Sequence, residues 1–523
     1  MLRTITPREM KMLETRVMAD TDVTGTELME RAAAAVAQAV ERHLQNRPGR
    51  IHCVCGTGNN GGDGLAALRI LCAGRPERAA TVWLMAGQLS WETGEQKTRL
   101  EREAPWVRLK VLEEEDTGAL PGIPPDTACV IDALFGTGLS REITGRAAEL
   151  CRLMEAAYGN GVPVVAVDIP SGLHGETGEI MGAAVRATET VTFHRPKPGL
   201  YLGAGLNLSG RITVADIGLP PARDEVEGYR VLEESDLADL IRPRPRVCHK
   251  GSFGRVLVVA GSLGMAGAAA ICALAAMRTG AGLVTVACPL EIVHIVQSLC
   301  PCATCLPLPT GDAAGALGLL AGVMEKADSV AIGPGLGTDA YARELMKGLM
   351  ALLGHTGKPA VLDADGLNGL AWLAEQREIP RPLLTPHQIL TPHPGEAARL
   401  LGMDTAQVAA DAPGAAAAIQ SCYGACVVLK GAASVLLSGK EKGLNVLGTP
   451  GMAKGGSGDA LTGILAALLA MKAQGAFEGS LFQVLQSGTA LHGLAGMAAA
   501  RAWGERGMLA TDLCSELGRV GGV

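Results

Sequence analysis

The stretch "GTPGMAKGGSGDALTGILAALLA" (residues 448–470) turns from a glycine-rich loop into an apolar helix, with one acid, Asp459, at the junction. Gly455, Gly456 and Gly458 carry no Cβ, so the backbone there can approach a ligand closely. The amides that follow belong to a helix N-terminus, where unpaired N–H groups and the helix dipole favour an anion. A phosphate suits that place. Asp459 is itself negative, and an acid beside a phosphate is unfavourable unless it has a task. Taking the proton from a hydroxyl as it is phosphorylated is such a task. The acid is expected to cap the helix, where a γ- or β-phosphate would lie.

Upstream, the same half of the chain supplies further parts of a phosphate-transfer site. "HKGSFGRVLVVAGS" gives a strand and turn, followed by an Ala-rich helix over 266–280. "IGPGLG" (332–337) is a strand end with three glycines, and "LDADGLNGL" (362–370) puts Asp363, Asp365 and Asn368 on one strand-to-helix turn. "LTPHPGEAARLLG" (390–402) sets His393 before Pro394, with Glu396 at a helix start. "VVLKGAASVLL" presents Lys430 at a strand end, followed by Gly431, Ala432, Ala433 and Ser434. Alone, His393 reads as a surface turn residue and Lys430 as a solvated strand end. The "GGSGD" run entering a buried apolar helix is the specific signal.

The first half has its own glycine-rich centre. Apolar runs at 51–56, 80–87, 128–136, 163–172, 190–194 and 211–218 alternate with helical patterns, which indicates a parallel sheet covered on both faces. "CGTGNNGGDGLAALRIL" (55–71) is a strand, a loop and a helix start, but not G-x-G-x-x-G, so the dinucleotide fingerprint does not apply. Asn59, Asn60 and Asp63 add oxygens to this loop, and Asp132 and Asp168 stand at two other strand ends. Ligands of open α/β sheets bind at the carboxyl ends of strands, so Asn60, Asp132, Asp168 and Ser171 are expected to converge. Oxygen donors without Cys or His suit a hard alkali or alkaline-earth ion. Each acid taken singly has an ordinary reading as a helix cap or turn former.

Between the halves, "LPPARDEVEGYRVLEESDLADLIRPRPR" is Pro-rich and charged and reads as a linker with a short helix. A boundary near residue 225 follows, with domains over 1–222 and 223–523. At 523 residues, 48% hydrophobic and 19% charged, the chain is expected to fold as two or three domains with sizeable cores. Its net charge of −7 and 3% aromatic content argue against a nucleic-acid partner. No run approaches the roughly 20 apolar residues of a membrane span, and "MLRTITPREMKMLETR" lacks the apolar core of a signal peptide. The expected location is the cytoplasm. "CPCATC" (Cys300, Cys302, Cys305) lacks a nearby fourth ligand for zinc or iron–sulfur and is not expected to bind metal.

"GNNGGDG", "DALFGTGL", "VDIPSG" and "KPGL" resemble the N-terminal domain of the NAD(P)HX epimerases over roughly residues 1–220. The resemblance implies a Rossmann-like three-layer domain in an α/β protein. It implies that Asn59, Asn60, Gly61, Gly62 and Asp63, with Gly136, Thr137, Gly138, Leu139, Ser140, Arg141 and Glu142, hold the hydrated dinucleotide. It further implies potassium on Asn60, Asp132 and Ser171, and Asp168 as substrate contact and acid/base.

In the second half, "GPGLG", "TPHPGE", "LKGA", "GMAKGGSGD" and "RGMLATDL" resemble the ADP-dependent NAD(P)HX dehydratases of the ribokinase-like superfamily, over roughly 230–520. Thr449 stands where that family often has Asn. This resemblance implies Asp459 as catalytic base and Ala268, Gly335, His393 and Asp459 as substrate contacts. Lys430 through Ser434 and Gly458 would hold the nucleotide, with ADP as co-substrate and Mg2+ on its phosphates. Substrates would be NADHX and NADPHX, and a homo-oligomer is expected. The rival reading is a vitamin or sugar kinase fused to a non-catalytic N-terminal binding module.

Overall fold

The computed structural model describes residues 2–44, 49–113, 120, 122–220, 227–236, 244–376 and 384–520. The chain separates into two compact units, Leu2–Tyr229 and Arg230–Val523. The boundary expected near residue 225 falls in 221–226, outside the described residues.

The N-terminal unit holds a seven-stranded sheet: β1 (Arg50–Cys55), β2 (Ala80–Met85), β3 (Arg108–Leu112), β4 (Thr127–Ala133), β5 (Val164–Val167), β6 (Glu189–Phe193) and β7 (Arg211–Ala215). Their order is β3-β2-β1-β4-β5-β6-β7, and all neighbours are parallel. Strand side chains alternate between faces, and here both faces are apolar. Ile51, Cys53, Cys129, Ile131, Val165 and Val167 enter one core with helices Pro7–Asp20, Gly25–Leu44 and Asn59–Cys72. Val54, Val130 and Val164 enter the opposite core with Leu150, Cys151 and Met154 of helix Gly145–Gly159. The unit is therefore three-layered and doubly wound, and its strand order reverses between β1 and β4.

The C-terminal unit has strands β8 (Arg230–Val231), β9 (Arg255–Val259), β10 (Leu283–Pro289), β11 (Thr304–Leu308), β12 (Ser329–Ile332), β13 (Ala360–Leu362), β14 (Gln388–Leu390), β15 (Cys426–Leu429), β16 (Ser434–Ser438) and β17 (Glu441–Asn445). Within the unit they run in the order β8-β17-β16-β15-β14-β13-β12-β9-β10-β11. The stretch from β15 to β11 is parallel, while β15–β16 and β16–β17 are antiparallel hairpins.

The helix of the opening stretch, Ser457–Ala473, is apolar nearly all round, which marks it as internal. It packs on the Ala-rich helix Ala266–Thr279. Their contact is close enough that a Cβ on Gly463 would lie 2.1 Å from the Cys272 carbonyl oxygen. Small residues let the two backbones meet, and the site forms at the N-terminal end of the buried helix.

Candidate active sites

In the N-terminal unit the strand ends meet at the reversal of strand order. A Cβ on Gly56, just after β1, would lie 2.0 Å from the Leu134 carbonyl oxygen, just after β4. Asp132, fully buried in β4, accepts from Ser171 Oγ (2.5 Å) and from the Ser171 amide (2.8 Å). The Phe135 amide donates to Ser171 Oγ (2.8 Å), and a Cβ on Gly136 would lie 3.0 Å from Asn60 Oδ1. The expected trio thus lies around one loop. Burial pushes the Asp132 carboxyl up to about 6 against its bonds to Ser171, with no basic group beside it to offset the charge. Asn60 Nδ2 is buried with no hydrogen-bond partner. Gly138, Ser140, Arg141 and Glu142 are exposed and form a rim rather than a floor.

Asp168 sits at φ 63°, a left-handed conformation uncommon outside glycine. Its Oδ1 accepts from Thr192 Oγ1 (3.0 Å), the Phe193 amide (3.2 Å) and Lys197 Nζ. Lys197 is fully buried and also donates to Thr192 Oγ1 and the Phe193 carbonyl. Asp63 and Glu14 face the same group. Burial and then the Asp168 charge raise both their carboxyls, and Lys197 only partly offsets this. Three carboxyls thus face one buried ammonium. Lys197 lies in "KPGL" and Glu14 in the charged N-terminal helix, and nothing local in the sequence marks either as a partner of Asp168.

In the C-terminal unit the strand-end acid Asp363 is buried and accepts from Lys430 Nζ (2.6 Å) and Thr462 Oγ1 (2.8 Å). Glu396 stands 3.7 Å from the same ammonium. Although burial opposes its charge, Asp363 and Glu396 hold the Lys430 ammonium above its usual range. Gly458 lies against the pair, since a Cβ there would be 3.3 Å from both Asp363 Oδ2 and Lys430 Nζ. Asp459, one residue on, is pushed up to about 6 by burial and then by Asp363.

The expectation that Asp459 caps its helix is corrected. The N-cap is Gly456, at φ 93°, and Asp459 is the third residue of Ser457–Ala473. Glycine can take that left-handed cap conformation without strain, so no side chain is required to start the helix. Half-buried His492 braces this turn, with Nε2 2.8 Å from the Ser457 carbonyl oxygen, and desolvation lowers its pKa to about 4. Lys454 ties the glycine loop to the carbonyls of Arg506 and Met508, both at 2.7 Å.

Gly335 and Ala268 meet: a Cβ on Gly335 would lie 3.1 Å from Ala268 Cβ. Asp365 Oδ2 accepts from the Gly337 amide (2.9 Å), joining the "GPGLG" loop to the next strand end. His393 caps helix Pro394–Leu401, its Nδ1 accepting from the Gly395 amide (3.0 Å), and its side chain is 51% exposed. Cys300 is buried, Cys302 exposed and Cys305 half-buried, and among the described residues no group of three or more His, Cys, Asp or Glu is placed to hold a metal.

Residues 256–519 match the family model described as NAD(P)H-hydrate dehydratase, and residues 25–199 match that of the YjeF-related protein N-terminus. The bifunctional NAD(P)H-hydrate repair enzyme Nnr of Moorella thermoacetica is 37% identical over 97% of this chain and 94% of its own. That of Coxiella burnetii is 37% identical over 98% of this chain and 97% of its own. The chain belongs to the bifunctional NAD(P)H-hydrate repair enzyme family. Both halves of the family are present, each over one glycine-rich centre. An ADP/ATP-dependent NAD(P)H-hydrate dehydratase structure from Bacillus subtilis is also similar, at 25% identity and TM-score 0.47 over 56% of this chain and 97% of that one. No helix among the described residues is long and apolar enough to cross a membrane.

Proposed function

We propose that the chain repairs hydrated nicotinamide dinucleotides at two sites: an epimerase domain over 1–222 and an ADP-dependent dehydratase domain over 223–523. The observation that carries this reading is Asp459 on the first turn of a buried helix, beside the Asp363–Lys430 pair. Hydroxide is a poor leaving group and phosphate a good one. Asp459 takes the proton of the 6-hydroxyl of the S hydrate while its oxygen attacks the β-phosphoryl group of ADP, releasing AMP. Elimination of phosphate with loss of a ring proton then restores the dihydronicotinamide.

The amides of Gly456–Gly458 hold the phosphoryl group as charge develops on it. Lys430, as one corner of its ion pair, holds the nucleotide phosphates together with Gly431–Ser434. Magnesium, bound mainly through phosphate oxygens, would neutralise their charge, with Asp363 and Glu396, both beside Lys430, as the carboxylates that would hold it. Ala268, Gly335 and His393 line the substrate.

In the other domain, Asp168 acts as the acid/base that inverts the hydroxyl-bearing carbon. It takes the hydroxyl proton as the ring carbon–nitrogen bond opens to an aldehyde and returns it when the nitrogen closes on the other face, interconverting the R and S hydrates. Lys197, with Thr192 Oγ1 and the Phe193 amide, holds Asp168 in one orientation. Asn59–Asp63 and Gly136–Glu142 hold the dinucleotide. Potassium suits Asn60, Asp132 and Ser171, since a buried carboxylate without a basic partner wants a cation, and the ion would supply fixed positive charge there. A homo-oligomer in the cytoplasm completes the reading. The test mixes each hydrate with enzyme and with ADP or ATP in turn, and follows the dihydronicotinamide absorbance. Accumulation of a stable phosphorylated product without recovery would instead favour a kinase.

The Asp132 environment makes a separate prediction. Its folded pKa is raised from 3.8 to about 6, so the native state holds its proton longer than the unfolded one. Without a cation, stability is therefore lost as pH rises from about 4 through 6, by roughly 3 kcal/mol in all. Potassium should relieve this where the carboxyl is ionised. Tm in potassium chloride, against tetramethylammonium chloride of equal strength, should rise by several degrees at pH 7.5 and hardly at pH 5. Equal shifts at both pH values, or none, would remove Asp132 as the ligand.

A further inference from the structure

A second cavity opens on the same edge of the C-terminal sheet, away from the nucleotide side. It has a volume of about 390 Å³, within the range of small-ligand sites. It lies over the ends of β9, β10 and β11, where Met265, Pro289, Leu308 and Leu336 give it largely apolar walls. From Asp363 at the end of β13, the sheet runs β12, β9, β10, so the cavity is three strand spacings away, roughly 14 Å. That span suits the separation of the two ring systems in an extended dinucleotide.

The surface between carries a helix start and two glycines that leave room beside the backbone. The "GPGLG" loop after β12 faces the start of helix Ala266–Thr279, and Gly264 and Gly267 there have open space where a Cβ would be. Loop and helix converge at the Gly335–Ala268 contact, and Leu336 and Gly337 continue into the cavity wall.

The polar groups of the cavity are selective. The Tyr341 hydroxyl is buried with no hydrogen-bond partner, which leaves it for a ligand. Glu291 accepts from Thr310 Oγ1 (2.8 Å), and Asp339 caps helix Ala340–Thr356 through the Ala342 amide (2.8 Å). Both carboxylates line the cavity, and among the described residues no lysine or arginine does. Carboxylates accept from ribose hydroxyls but repel a phosphate in their place.

We propose that this cavity takes the adenosine end of the hydrated dinucleotide and, through Glu291 and Asp339, makes the dehydratase prefer NADHX to NADPHX. The proposal rests on the dehydratase reading above and adds a specificity to it.

The test is kcat/KM of the full-length enzyme for the S forms of NADHX and NADPHX, with saturating ADP. We expect NADHX to be favoured by about tenfold or more, chiefly in KM. Glu291→Lys, at an exposed position, should bring the two substrates near parity by lowering KM for NADPHX. Leu308→Trp, which fills the cavity, should raise KM for both hydrates and leave KM for ADP unchanged; a thermal melt checks that it folds. Equal kcat/KM for both hydrates in the unaltered enzyme would overturn the proposal. So would an unmoved ratio in Glu291→Lys, or a Leu308→Trp effect confined to ADP. Recovery of neither hydrate would instead sink the dehydratase reading itself.

Discussion

Asp459→Asn should lower nucleotide-dependent recovery of the dihydronicotinamide by about 10²–10⁴-fold, the usual loss when a general base is removed. The fold should survive. Gly456, not Asp459, caps the helix, and the substitution removes a half-buried carboxylate that burial and Asp363 disfavour. The same environment fixes the pH dependence. With its carboxyl raised from 3.8 to about 6, Asp459 is protonated and inactive as a base in mild acid. The kcat/KM for dehydration should therefore climb with pH through about 6 and level off above it, measured at saturating ADP. A flat profile across that range would mean that another group takes the proton. Interconversion of the R and S hydrates should be untouched in Asp459→Asn.

Asp168→Asn should do the reverse. Its Oδ1 is the meeting point of Lys197, Thr192 and the Phe193 amide, a set of donors that holds a carboxylate in one orientation. An amide in that place cannot accept the substrate proton, so epimerisation should fall by about 10²–10⁴-fold. Dehydration of the S hydrate should continue at its ordinary rate, leaving the R hydrate to spontaneous inversion. Lys197→Met tests the positioning role separately. Without the ammonium, Asp168 keeps Asp63 and Glu14 as neighbours and loses its counter-charge. Epimerase kcat should then fall while KM for the hydrate changes little, a split that loss of packing alone does not produce. Lys197→Arg should restore part of the activity.

Much of this architecture is legible in the sequence because buried parallel strands are apolar on both faces. β1, β2, β4, β5 and β6 are almost wholly buried and stand out as unbroken runs. β3 and β11 do not. They lie at sheet edges, where exposed residues such as Arg108, Lys110 and Thr304 blur the pattern. β14, although central, is only three residues long.

The sites divide in the same way. Residues beside glycine-rich turns, such as Asn60, Asp132, Ser171 and Asp459, announce themselves locally. Their partners do not. Lys197 reaches Asp168 from a separate loop, and Glu14 comes from an amphipathic helix in which one more charge is unremarked. His492 lies within a long apolar helix, where nothing in the sequence points to the first turn of Ser457–Ala473. The capping role expected of Asp459 failed for a local reason: four small residues in "GGSG" leave the choice of cap to backbone conformation, and Gly456 takes it.

The central claim is that two independent centres act in sequence on one substrate. The measurement that tests it most directly follows both hydrate epimers and the dihydronicotinamide by chromatography, in the presence of ADP, for the unaltered enzyme, Asp459→Asn and Asp168→Asn. Full recovery from both epimers is expected in the first. In the second, epimer exchange without recovery is expected, and in the third, recovery from S alone with R persisting. Loss of epimer exchange in Asp459→Asn, or loss of S repair in Asp168→Asn, with both variants folded, would contradict the claim.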